Sequence, residues 1–274
     1  MIVEVGSVTK ILGNKEAIKD VSFKSEVDRL IILGHNGSGK TTLLSMLIGV
    51  LKPDKGKISI DGINPCKERD KILKKVSFSF EKPKFDINVK VKDYYNFMKE
   101  IADSDCVEMF WSQLGLSEAK DSMLSDLSSG QGQAIQLMQA ICRNSEIKVL
   151  DEPFSHLDYV RAGIIGEYIV RKGLKIIMTT HVPEEADWLA EHVVILKDGK
   201  LVWSGKFEEL NQGDYFEVMV RDSSNLPNVV AKVGNILIVK SSIEELTRLM
   251  SEGKIMGFKR VGVRRYYESY KVVS

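Results

Sequence analysis

Nothing in this chain of 274 residues approaches the ~20-residue apolar run that a membrane-spanning helix requires. If the protein works at a membrane, another chain provides the membrane part. A dominant charge is lacking as well, since 39 Lys and Arg face 38 Asp and Glu for a formal net charge of +1. Nucleic-acid binders usually carry a basic excess on one face, so this balance argues against that class. The three cysteines, Cys66, Cys106 and Cys142, form no CxxC pair and have no histidine cluster beside them. We read them as reduced, buried thiols of a cytosolic protein, with neither a disulfide framework nor a zinc site. Met1 to Lys10 alternate like a strand and lack the basic, apolar and small-residue regions of a signal peptide. Internal repeats and low-complexity segments are missing too.

What remains is an ordinary globular composition, 43% hydrophobic and 28% charged, long enough for one large domain with an appendage. Short strands are expected at Ile2–Val5 and Val21–Phe23, with a Gly13-Asn14 turn between them. Arg29–Leu33 is a continuous apolar strand, followed by a Gly-rich stretch and a helix expected from Leu43 to Val50. Lys57–Ile60, Val76–Phe80, Ile147–Leu150 and Lys175–Met178 read as further strands, and Val193–Leu196 with Lys200–Trp203 as a hairpin around Asp198-Gly199. Tyr94, Tyr95, Met98, Ile101, Phe110, Trp111 and Leu114 recur at spacings of three and four and mark helices between Val89 and Leu124, the aromatic positions being core or interface residues. Helices also fit Gln133–Cys142 and Val160–Arg171. Strands alternating with helices predict an α/β fold built on a mostly parallel, doubly wound sheet. Beyond Lys206 the pattern shifts to strands at Tyr215–Val220, Val229–Val239 and Gly257–Arg265, with a capped helix at Ser242–Ser251. We therefore expect a main domain at 1–206, with a helical insertion at about 89–135, and a small α+β domain at 207–274.

Gly34-His35-Asn36-Gly37-Ser38-Gly39-Lys40-Thr41, followed by Thr42, fits G-x-x-x-x-G-K-T between a strand and a helix. The glycines let backbone N–H groups curl around phosphate, and the helix adds its positive end. Lys40 would reach the β- and γ-phosphates, and the Thr41 hydroxyl would ligate magnesium. Ile147-Lys148-Val149-Leu150-Asp151-Glu152 is an apolar strand ending in two carboxylates, which at a strand's C-terminal edge face a ligand crevice. Asp151 would hold magnesium and Glu152 would polarise the attacking water. Leu127-Ser128-Ser129-Gly130-Gln131 opens a helix with small residues and free N–H groups, a second anion-type terminus. Taken alone it is an ordinary serine cap, and His181, after Thr179-Thr180, is on its own more often a structural histidine.

The order of these segments, with Ser155-His156-Leu157-Asp158 between them, resembles the ABC (ATP-binding cassette) ATPase family over roughly Met1 to Leu210. The resemblance implies a P-loop NTPase (RecA-like) parallel core, an antiparallel β subdomain and a helical insertion. It implies ATP and Mg2+ as ligands, and two cassettes paired head to tail, each signature loop capping the other's nucleotide. On that reading Ser128, Gly130 and Gln131, with Ser129 beside them, act in trans. Glu152 is the catalytic carboxylate, His181 and Lys40 contact phosphate, and Asp158 belongs to a loop crossing the interface.

Four departures stand out. The family's aromatic at the first turn, which stacks on adenine, is Leu12 here, and its glutamine after the fifth strand is Glu81, a further magnesium oxygen or a surface residue. Ser129 replaces a signature glycine, and Gly132 and Ala134 stand where arginines are frequent. The resemblance implies a partner too: a transmembrane permease subunit, met by the loop Lys82–Val91 through Phe80 and Phe85, and a second copy or related cassette. The chain would then be cytoplasmic, peripheral on the membrane's inner face. The tail loosely resembles drug- and polysaccharide-export cassettes, although Arg265–Tyr270 lacks their closing leucine-acidic-acidic-valine-phenylalanine motif. The competing readings are a soluble ABC ATPase of iron–sulfur assembly and a catalytically dead ATP sensor.

Overall fold

A computed structural model describes residues 1–81, 85, 87–212, 215–220, 226, 228–233 and 236–260. Its contacts divide into two compact units, Met1–His181 with Trp188–Ser204, and Val182–Asp187 with Gly205–Ser274.

The first unit opens with β1 (Ile2–Leu12) and β2 (Lys15–Glu26), longer than the apolar alternation alone suggested, paired antiparallel around the Gly13-Asn14 turn. β3 (Arg29–Gly34) follows, then α1 (Lys40–Leu47), which starts three residues before the expected Leu43. The glycine-rich loop ends at Lys40, so the first turn of α1 is part of the motif itself. β4 (Lys55–Ile60) pairs antiparallel with β1 and completes a three-stranded sheet of order β2-β1-β4. α2 (Arg69–Lys75) was not expected, because only Ile72 of its seven residues is buried and no apolar stripe marks it. β5 (Val76–Ser79) then enters the main sheet.

The helical insertion holds α3 (Val91–Ile101), α4 (Ser104–Gln113) and α5 (Ser129–Cys142). Met98, Phe110 and Leu114 are buried as expected, and Tyr95 stacks on Trp111 with ring centroids 4.1 Å apart. Ile101, the last residue of α3, is 54% exposed. The reading of the cysteines is overturned here, since Cys106 and Cys142 form a disulfide with Cα atoms 5.3 Å apart. Their separation of 36 residues concealed the pairing. The start of α4 is brought against the end of α5, where Asp103 N donates to Cys142 O at 2.9 Å. Cys66 is the free cysteine.

β6 (Ile147–Asp151), α6 (Tyr159–Arg171) and β7 (Lys175–Thr180) come next, and the chain then passes through α7 (Pro183–Leu189), within which the two units divide. β8 (His192–Lys197) and β9 (Lys200–Lys206) flank Asp198-Gly199. The resulting six-stranded sheet has the order β5-β6-β7-β3-β8-β9, with parallel pairing from β5 through β8. Leu30–Leu33, Ile147–Leu150 and Ile176–Met178 are buried almost throughout. Strands covered on both faces read as unbroken apolar runs, which is why these were visible in the sequence. Val3, Ile18, Leu44, Leu47, Ile60 and Val149 belong to the core that joins the two sheets.

The second unit contains α8 (Phe207–Gln212), β10 (Tyr215–Met219), β11 (Val229–Val233), β12 (Ile236–Lys240), α9 (Ile243–Ser251) and β13 (Gly257–Arg260). Its antiparallel sheet has the order β11-β12-β10-β13, so the single strand expected at Val229–Val239 is in fact two. Phe216, Val218, Leu237, Val239, Leu246 and Leu249 form its core, and Ser242 caps α9 by accepting from Glu245 N at 3.2 Å. The remainder of the expected strand Gly257–Arg265, and Arg265–Tyr270, lie outside the described residues. Among the described residues no helix is long and apolar enough to cross a membrane.

Candidate functional site

β3 ends at Gly34, and the chain curls through His35–Gly39 before α1 begins at Lys40. Gly37 and Gly39 make the curl with φ values of 83° and 104°, a left-handed region that side chains rarely adopt. A Cβ on Gly39 would also meet Ala17 O at 2.6 Å and Ile18 Cδ1 at 2.7 Å. The loop therefore requires glycine there on two counts. The first-turn N–H groups of α1 have no intrahelical acceptors, the condition under which a helix start attracts anions.

Lys40 is 5% exposed. Its Nζ donates to Gly34 O at 2.7 Å and His35 O at 3.2 Å, and lies 3.0 Å from Glu152 Oε1 as an ion pair without hydrogen-bond alignment. On the other side, Glu152 Oε2 stands 2.7 Å from His181 Nδ1 and accepts from His181 N at 3.3 Å. Glu152 has φ of 47°, strained for a residue with a side chain. Thr179 holds it there, because Glu152 N donates to Thr179 Oγ1 at 3.0 Å and to Thr179 O at 3.2 Å.

Asp151 is 1% exposed. Thr41 Oγ1 donates to its Oδ2 at 2.9 Å, and Thr179 Oγ1 donates to its Oδ1 at 2.5 Å. Burial raises the Asp151 carboxyl above the ordinary carboxylate range; the two threonine bonds oppose this, while the charges of Glu152 and Glu81 add to it. Three carboxylates, Asp151, Glu152 and Glu81, stand here against two lysines, Lys40 and Lys15.

A cleft of about 420 Å³ opens over this network. It brings together Leu12, Asn36, Gly37, Gly39, Lys40, Thr41, Thr42, Glu81 and Glu152. Lys15 and Ala17 also line it; the sequence reading missed both because β2 has no motif of its own. Gly34, where the loop begins, and Ser38, within it, are buried, and the Ser38 hydroxyl is without a hydrogen-bond partner among the described residues. His35 turns to other partners, with Nδ1 2.8 Å from Asn36 O and Nε2 3.5 Å from Asp198 Oδ1. Thr179 was also missed as a site residue, although it sits in the quoted Thr179-Thr180-His181 run.

Ser128, Ser129, Gly130, Gln131 and Asp158 do not line the cleft. Ser128 caps α5 in a reciprocal box: its Oγ accepts from Gln131 N at 3.3 Å, while Gln131 Oε1 accepts from Ser128 N at 3.2 Å. Asp158 caps α6, accepting from Arg161 N at 2.9 Å.

The residues present fit a nucleoside triphosphate with Mg2+. Lys40 and the α1 N-terminus supply the anion cradle, and the surplus of carboxylates suits a cation. Among the described residues no group of three or more His, Cys, Asp or Glu could hold a metal ion alone. Thr41, Asp151 and Glu81 would make only a partial oxygen shell, as suits Mg2+, which usually keeps waters and takes phosphate oxygens.

A parallel sheet with a glycine loop feeding a buried lysine, beside a strand ending in two carboxylates, defines a P-loop nucleotide hydrolase. Residues 18–155 match the family described as ABC transporter. The uncharacterized ABC transporter ATP-binding protein YxlF of Bacillus subtilis is 30% identical over 220 residues, 77% of this chain and 73% of its own. An uncharacterized ABC transporter ATP-binding protein of Methanocaldococcus jannaschii, MJ1023, is 28% identical over 90% of this chain and 93% of its own. Among solved structures, the dimeric bacterial ABC transporter cassette MJ0796 superposes with a TM-score of 0.62 at 21% identity, covering 74% of this chain and 98% of that one. The chain belongs to the ABC transporter family as an ATP-binding, ATP-hydrolysing subunit.

Proposed function

We propose that the chain binds ATP with Mg2+ and hydrolyses it as a head-to-tail dimer, energising transport through a separate transmembrane permease. The observation that carries this reading is the position of Glu152, held between Lys40 and His181 beside the Thr41–Asp151 pair at the phosphate loop. Lys40 leaves Glu152 for phosphate oxygens when nucleotide binds, which frees Oε1 to accept the proton of an attacking water. His181, anchored to Oε2, keeps the carboxylate aimed. Thr41, Asp151 and Glu81 hold Mg2+, which when bound neutralises charge on the phosphates. Leu12 lies against adenine at the rim, where it is 43% exposed.

The signature residues Ser128, Ser129, Gly130 and Gln131 act on the other protomer's nucleotide, and Asp158 borders that interface. Their separation from the cleft within one chain supports the dimer, as does the dimeric cassette of like fold. The names of the relatives support a permease partner, with the chain peripheral on the cytoplasmic face. Residues 1–206 form the ATPase domain and 207–274 an appended α+β domain, a division near that of the two units.

Glu152→Gln tests the reading. Turnover is expected to fall about 10²–10⁴-fold, the usual worth of a positioned acid or base, while ATP still binds and a dimer accumulates on a sizing column. Turnover equal to wild type would refute the assignment.

A further inference from the structure

The helix that begins at the signature segment carries two glutamines whose side chains end on the backbone beside the cleft. Gln133 is fully buried, and its Nε2 donates to Pro153 O at 3.0 Å, one residue after Glu152. Gln136 lies one turn further along α5. We assign its amide the orientation that pairs donor with acceptor, in which its nitrogen donates to Phe80 O at 2.6 Å and its oxygen accepts from Phe80 N at 3.2 Å. Phe80 directly precedes Glu81, a residue lining the cleft.

The geometry at Gln136 is that of a strand partner. β5 is an edge strand, and an edge leaves a row of backbone donors and acceptors without neighbours. A side-chain amide has one donor side and one acceptor side, so it can satisfy both groups of a single residue at once. No other neutral side chain of this length offers that pair. Ser77, three residues earlier and within the strand, is fixed to α5 as well, its Oγ donating to Ala140 O at 2.5 Å. The strand and the residue that follows it are thus each tied to the helix, and the Gln136 tie is the one next to Glu81.

We propose that Gln136 is a positioning residue for ATP hydrolysis: it clasps the Phe80 backbone and so fixes Glu81 relative to the signature helix. Gln133 does the same for the chain just after Glu152. A shift of α5 along its axis then moves both sides of the cleft, one through Phe80 and one through Pro153. The signature end of the helix is in this way linked to its own protomer's carboxylates, not only to the partner's nucleotide. This inference rests on the hydrolytic role proposed above.

Gln136→Met keeps the length and removes both hydrogen-bonding groups. Hydrogen exchange over residues 77–81 reads the clasp itself, and the variant is expected to exchange faster there. Turnover is expected to fall about tenfold, the scale of a small misplacement of a site group, and the magnesium concentration for half-maximal rate to rise. ATP affinity without magnesium and the melting temperature should stay at wild-type values. Unchanged exchange at 77–81 would overturn the clasp, and faster exchange with unchanged turnover and magnesium dependence would overturn its positioning role. Joint loss of ATP affinity and thermal stability would mark a structural residue and overturn it as well. Glu152→Gln is assayed beside it. If that variant loses turnover while Gln136→Met does not, only this inference fails; if neither changes turnover, the hydrolytic reading fails and takes the inference with it.

Discussion

The phosphate-loop half of the site and the signature half are built in opposite ways. Around the loop, Lys40, Asp151 and Glu152 are almost wholly buried and bonded to one another through Thr41, Thr179 and His181. Ser128 and Ser129 are exposed, and the bonds of Ser128 stay within its own cap. One half is closed on itself before any ligand arrives. The other presents a capped helix start that does not line its own chain's cleft. A buried, interlocked polar network fixes geometry in advance, which is what catalysis needs. An exposed helix terminus is suited to completing a site on another surface.

The strongest way to test that contrast is to loosen the insertion and leave the loop alone. The Cys106–Cys142 bond closes 36 residues of the insertion, and chain-entropy arguments put the stabilisation from such a loop at about 3–4 kcal/mol. Reduction with a thiol, or the Cys106→Ala/Cys142→Ala pair, should lower the melting temperature by roughly 10 °C. ATP affinity of the monomer should hold, because neither cysteine is near the cleft. A melting curve unchanged by reductant would show that the bond contributes nothing.

A second perturbation strikes the closed half. Thr179→Val removes the hydroxyl that serves Asp151 Oδ1 and Glu152 N together. The residue-179 carbonyl still accepts from Glu152 N and Thr41 still donates to Asp151, so two hydrogen bonds worth about 0.5–1.5 kcal/mol each are lost. The melting temperature should drop and turnover should fall about tenfold as Glu152 loosens. Wild-type turnover in Thr179→Val would mean that the left-handed turn at Glu152 needs no such anchor.

The smallest effect concerns the rim. Base stacking on an aromatic ring is worth roughly 1–3 kcal/mol, and Leu12 already supplies apolar contact. Leu12→Tyr should tighten ATP and GTP alike by about fivefold to tenfold, because stacking reads no base edge. The exposure of Leu12 leaves room for the larger ring, so the melting temperature should not move. Titration of both nucleotides against both proteins decides it.

The contrast also explains what could be read in advance. Lys40, Thr41, Asp151 and Glu152 were legible because a phosphate cradle demands fixed residue types at fixed spacing along one stretch of chain. The buried parallel strands were legible because both faces are covered and their apolar runs are unbroken. Thr179 was not, since its importance lies in reaching two groups on a neighbouring strand. Cys106 and Cys142 were misread for a similar reason, as spacing along the chain says nothing about which helix ends meet.

The central claim, that one chain's closed loop is completed by another chain's open signature, has a direct measurement. Lys40→Ala disables the loop, and Gly130→Asp puts a side chain and a negative charge into the signature, where a Cβ already comes within 3.0 Å of His156 O. Each variant alone should be inactive. Mixed in equal amounts, they form heterodimers in which one site carries both lesions and the other carries none. The account predicts that turnover returns on mixing, to about a quarter of wild type when half the dimers are mixed. Two inactive variants that stay inactive together, although they associate, would contradict it.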